Sequence, residues 1–127
     1  MKKFLIALLL VTTCCLSAGS QDSMFVSSWF NEEVLETEGI GLVEFFSRYC
    51  PPCRRLYPEL AKAADRMKGE VKFISINIEY EGALASEYQI KSLPSLLVFG
   101  DGKVIDKRIG FMESEEIIEW LNNRKGE

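Results

Sequence analysis

The chain has 127 residues, enough for one domain with a real core but not for two. It carries 15 basic and 19 acidic side chains and no histidine, a formal charge of −4. That acidic balance excludes nucleic acid and anionic lipid as main partners.

The first residues read as a targeting segment. Met1-Lys2-Lys3 is basic and Phe4 to Val11 is apolar. Leu16-Ser17-Ala18 and Ala18-Gly19-Ser20 place small residues where a signal peptidase cuts. The pattern predicts a secretory signal peptide over 1–20 and a single domain over 21–127. Cys14 and Cys15 leave a lipoprotein anchor open, although Val11-Thr12-Thr13 lacks the small residue that bacterial lipoprotein signals prefer before the cysteine. Cleavage would remove Lys2 and Lys3, shift the formal charge from −4 to −6 and leave only Cys50 and Cys53. An exported chain with one close cysteine pair fits a redox protein better than a disulfide-stapled scaffold.

Met24 to Ser27 could form a brief edge strand. Trp29 to Glu36 predicts a helix, with Trp29, Phe30, Val34 and Leu35 on its apolar face. Leu42 to Ser47 reads as a buried strand by its aromatic and branched content. Arg54 to Met67 predicts a helix with Leu56, Leu60, Ala63, Ala64 and Met67 on one side, kinked at Pro58. Val71 to Ile78 alternates with a period of two and reads as a strand. A short helix over Ala83 to Tyr88 follows. Ser95 to Phe99 and Val104 to Ile109 flank Asp101-Gly102, a strong hairpin signal. Ser114 is placed to cap a last helix, with Ile117, Ile118 and Leu121 facing inward. Strands joined through helices imply parallel pairing, and the closing hairpin adds antiparallel strands. The expected fold class is α/β, a central mixed sheet with helices on both faces.

The chemistry concentrates at Cys50-Pro51-Pro52-Cys53, where a strand hands over to a helix. Two cysteines at this spacing can close a small disulfide ring, and the helix N-terminus favours the first as a thiolate. The thiolate is the nucleophile of thiol–disulfide exchange. A zinc site needs about four ligands, and this chain offers one cysteine pair outside the leader and no histidine, so no metal is expected. A purely structural disulfide stays open, but it does not explain why the pair follows a buried strand and opens a helix.

In this order of elements the chain resembles the thioredoxin family over essentially its whole mature region. The resemblance rests on Val43-Glu44-Phe45-Phe46, Cys50-Pro51-Pro52-Cys53, Pro58, Leu93-Pro94-Ser95, Gly102 and Gly110. It implies that Cys50 attacks and Cys53 resolves. It places Glu44 where the family has a buried aspartate that takes the Cys53 proton, and it makes Pro94 a cis proline against the dithiol. Tyr49 and Pro51, with the Leu93–Pro94 backbone, would contact an extended substrate segment. The chain departs from the family at Pro51, where glycine is usual, at Phe46 and Tyr49, where tryptophan is typical, and at Ser75, where a lysine often stands near the buried carboxylate.

The expected activity is reduction of protein disulfides by an exported, periplasmic or secreted, monomeric enzyme. It would need no cofactor and would be recharged by a membrane thiol-electron donor. A disulfide oxidase or isomerase, and a redox-silent binding module of the same fold, are the alternatives.

Overall fold

The computed structural model describes residues 28–126. The expected signal peptide, the strand over Met24 to Ser27, and Cys14 and Cys15 lie outside the described residues. The chain opens with α1 (Ser28–Phe30), which widens into a π-helical stretch over Asn31–Leu35. There the Glu36 amide reaches back five residues to the Asn31 carbonyl at 2.8 Å. Then follow β1 (Ile40–Phe46), α2 (Pro51–Arg66), β2 (Val71–Asn77), α3 (Gly82–Glu87), β3 (Ser95–Gly100), β4 (Lys103–Ile109) and α4 (Ser114–Asn122). None of the described helices is long and apolar enough to cross a membrane.

The four strands form one sheet in the order β2-β1-β3-β4. β1 and β2 are parallel, as the intervening helix requires. The closing hairpin supplies the antiparallel strands, as expected: β3 runs antiparallel to β1, and β4 antiparallel to β3. β3 enters the sheet from the end at which β2 leaves it. Ser95 accordingly pairs with Phe45, near the C-terminal end of β1.

Helices cover both faces, and the core divides accordingly. On one side Leu42, Leu96 and Val98 meet Leu56, Leu60 and Ala63 of α2 and Ile117, Trp120 and Leu121 of α4. On the other, Val43, Phe45, Leu97 and Phe99 meet Phe30, Val34, Leu84 and Ala85. Trp29 departs from its expected inward position: it is exposed, and its indole donates to Glu81 at 3.2 Å. Trp120 is buried, and its indole donates to Asp106 on β4 at 2.7 Å.

Two loops are fixed by specific contacts. Asp101 (φ 49°) and Gly102 (φ 81°) make the β3–β4 turn, with positive φ at both central positions. The Asp101 carboxylate accepts from the Gly39 amide at 2.9 Å, tying the hairpin tip to the start of β1. At α4, Ser114 is not a side-chain cap. It is the first helical residue, and its amide donates to Glu59 of α2 at 2.9 Å. A carboxylate from a neighbouring helix thus satisfies an amide that the helix cannot. The Lys62 ammonium and that amide hold the Glu59 carboxyl below its ordinary range.

Candidate active site

The site is built where β1 hands over to α2. Pro51 and Pro52 occupy the first positions of α2, which begins three residues before the expected Arg54. Two prolines read as a helix breaker, yet the first turn needs no N–H from them and their fixed φ is already helical. Cys50 is the N-cap residue, with extended backbone (φ −102°, ψ 105°). Its sulfur accepts from the Cys53 amide at 3.2 Å, and its carbonyl accepts from the Arg54 amide at 3.2 Å. Because neither proline carries an N–H, the Cys53 amide is the first backbone donor after Cys50.

Cys50 and Cys53 form a disulfide, with Cα atoms 5.3 Å apart. Their environments differ: Cys50 is half-buried at the helix start, and Cys53 is only 3 % exposed inside the first turn. Tyr49, just before the pair, is 81 % exposed, and Pro51 is also exposed. The Leu93–Pro94 peptide is cis, with Leu93 half-buried and Pro94 buried. The Pro94 carbonyl accepts from the Gly110 amide at 2.9 Å. The Phe45–Ser95 pairing puts Pro94 at the same end of the sheet as the dithiol loop.

Glu44 lies on β1 beneath this end. Strand alternation and the apolar neighbours Val43 and Phe45 leave it 3 % exposed. Its register partner on β2 is Ser75, whose hydroxyl donates to Oε2 at 2.8 Å. Burial pushes the Glu44 carboxyl up, and the Ser75 hydrogen bond opposes that push in part. Glu44 and Cys53 line one cavity of about 300 Å³, together with Phe46, Arg48, Arg54 and Tyr57. A buried carboxyl and a buried thiol therefore share one pocket, the arrangement that local proton exchange requires.

Glu79 was missing from the sequence-based site. The Ser47 hydroxyl donates to it, as do the Arg48 amide and the Arg48 guanidinium, each of the latter two at 3.2 Å. The Ser47 hydroxyl in turn accepts from the Tyr49 amide at 3.1 Å. These bonds fasten the Ser47-Arg48-Tyr49 loop, which carries Cys50, to the loop after β2. The Ser47 hydroxyl, followed by Arg48, holds the Glu79 carboxyl below its ordinary range. Glu79 lies 32 residues from Ser47, beyond the reach of any local pattern. Among the described residues no group of three or more His, Cys, Asp or Glu side chains is placed to hold a metal ion.

A dithiol at a helix start, a cis proline at the same end of a mixed sheet and a buried carboxyl on the central strand define a thiol–disulfide oxidoreductase. The family model for thioredoxin matches residues 23–123. A thioredoxin of Rickettsia felis is 35 % identical over 95 residues, covering 75 % of this chain and 90 % of that protein. A thioredoxin of Rhodospirillum rubrum is 33 % identical over 92 residues, covering 72 % and 88 %. Protein disulfide-isomerase like 2-2 of Arabidopsis thaliana is 40 % identical over 77 residues, covering 61 % of this chain and 17 % of that protein. The chain belongs to the thioredoxin family.

Proposed function

We propose that this protein is an exported protein-disulfide reductase. The observation that carries the direction is the donor poverty of Cys50. Pro51 and Pro52 offer no N–H, the chain has no histidine, and among the described residues Cys50 takes one 3.2 Å bond, from the Cys53 amide. A thiolate with little support makes the dithiol form less stable and the pair a better electron donor. Potentials in this fold run from about −120 mV for strong oxidants to about −270 mV for thioredoxin, a span of roughly 7 kcal/mol for two electrons. Export is supported by Lys2 and Lys3 followed by the apolar run Phe4 to Val11.

In this reading the Cys50 thiolate attacks a substrate disulfide. A Cys50–substrate bond forms, and the other substrate sulfur leaves and takes up a proton. Cys53 then loses its proton to Glu44 and attacks Cys50 Sγ. The Cys50–Cys53 bond forms, the Cys50–substrate bond breaks, and the second substrate sulfur leaves as a thiolate that takes up a proton as Glu44 gives its own back. Two electrons and two protons pass from the enzyme dithiol to the substrate, and a membrane dithiol donor restores the reduced pair. Tyr49, Pro51, Leu93 and Pro94 form the surface that receives the extended substrate. The protein acts as a monomer without a cofactor.

The Arabidopsis isomerase-like relative favours a second reading, oxidation or isomerisation. Equilibration of the full chain with glutathione separates the two. The reductase reading expects a potential nearer −270 mV, and a value above about −180 mV would overturn it.

A further inference from the structure

The surface beside the dithiol runs against the charge of the chain. The whole sequence carries −4, yet the segment from Arg48 to Arg55 contains three arginines and no acidic residue. Arg48 and Arg54 line the cavity that reaches Cys53. Arg48 is matched by Glu79 at 3.2 Å, but the exposed Arg54 guanidinium makes no ion pair among the described residues. The Arg55 guanidinium lies 5.9 Å from the exposed ring of Phe111, a contact that orients it without neutralising it. Two guanidinium groups that make no ion pair among the described residues thus stand in the first turns of the helix that carries the dithiol, on a protein of net negative charge. The exposed ring of Phe111 meets Arg55, and the exposed ring of Tyr49 directly precedes Cys50 in the chain.

We infer that this face selects disulfides flanked by acidic residues: an extended segment of a partner protein carrying Asp or Glu within a few positions of the attacked cysteine. The inference rests on disulfide exchange at Cys50, the first step of the proposed function, and is independent of its direction. Opposite charges steer encounter and raise the association rate, and the effect fades with salt. An exposed pair changes an equilibrium by about two- to fivefold, so two together bring about tenfold discrimination at low salt.

The test measures exchange between the reduced full chain and two synthetic disulfide peptides that differ only in flanking Glu or flanking Lys. The expected result is reaction about tenfold faster with the Glu-flanked peptide at low salt, a ratio that shrinks in high salt. The double variant Arg54→Glu, Arg55→Glu should invert the ratio, and Arg54→Lys, Arg55→Lys should keep it. Equal rates with the two peptides, or a ratio that survives charge reversal, would overturn the inference and leave the oxidoreductase assignment standing. No exchange with either peptide would overturn both. A potential above about −180 mV with the ratio intact would sink only the reductase direction and support the substrate preference.

Discussion

The Ser75 hydroxyl and the Glu44 carboxylate face each other across the β1–β2 pair, in direct register and 2.8 Å apart. A neutral donor stands opposite the buried acid, and among the described residues that hydrogen bond is its side-chain support and no ion pair reaches it. This pairing sets the behaviour of the pocket below the disulfide.

If Glu44 accepts the Cys53 proton, Glu44→Gln should slow resolution of the mixed disulfide by about a hundredfold and leave first attack by Cys50 nearly unchanged. Stopped-flow measurement of the two steps checks this. Slowing of both steps alike would remove Glu44 from the proton path.

The same carboxyl links stability to pH. Its folded pKa is raised by burial, so the folded state holds the proton more tightly than the unfolded chain. Stability therefore falls as pH climbs from the unfolded carboxyl value through the folded one, and stays low above it. Glu44→Gln should abolish this slope and melt later than the wild type at neutral pH. Ser75→Ala removes the bond that lowers the folded pKa and should move the slope to higher pH. Denaturant melts across the acid range that show no such slope, and no gain from Glu44→Gln, would mean that Glu44 is well solvated.

The burial difference between Cys50 and Cys53 predicts their order of reaction. Limited alkylation of the reduced protein should label Cys50 first. Cys53→Ser should accumulate mixed disulfides with substrate, because the thiol that releases them is gone. Mass spectrometry of the trapped adducts should find them on Cys50. Labelling of Cys53 ahead of Cys50 would reverse the assignment.

Glu79 is expected to act as a positioning residue for the Cys50 loop. Glu79→Ala removes the acceptor of the Arg48 amide, and hydrogen exchange at that amide should accelerate by well over an order of magnitude. Glu79→Gln keeps an acceptor and should restore part of the protection. The Glu79 carboxyl is held low in the folded state. Its contribution is therefore present above the unfolded carboxyl value and is lost as pH falls through the folded one. Unchanged exchange at Arg48 would mean that the loop is held by its own backbone.

Gly102 has φ 81°, and a Cβ there would run into the Leu35 carbonyl oxygen. Gly102→Ala should destabilise the fold by at least about 1–2 kcal/mol from the left-handed backbone alone. A variant as stable as the wild type in urea would show that the hairpin tip can lift away from Leu35.

Much of this was readable in the chain because it is local. The alternation around Glu44 predicts its burial, and Asp101-Gly102 predicts its turn. Cys50 and Cys53 declare themselves by spacing. What escaped depends on the third dimension. Ser114 looks like a cap, but Glu59 on another helix takes that place. Pro51-Pro52 looks like a boundary because proline breaks helix interiors, and it stands at the one place where proline begins them. Glu79 binds Ser47 and Arg48 across a gap in sequence that no periodicity reports.

The buried acid at Glu44 has one more consequence, for spectroscopy. In most proteins imidazoles crowd the titration window near neutrality. Here the sequence contains none. A carboxyl chemical shift that titrates above the ordinary carboxylate range is therefore not masked by imidazole, and Glu44, pushed up by burial, is the group placed to give it. Glu44→Gln should erase that inflection, so the acid that shares a cavity with Cys53 can be followed by itself in a chain without imidazoles.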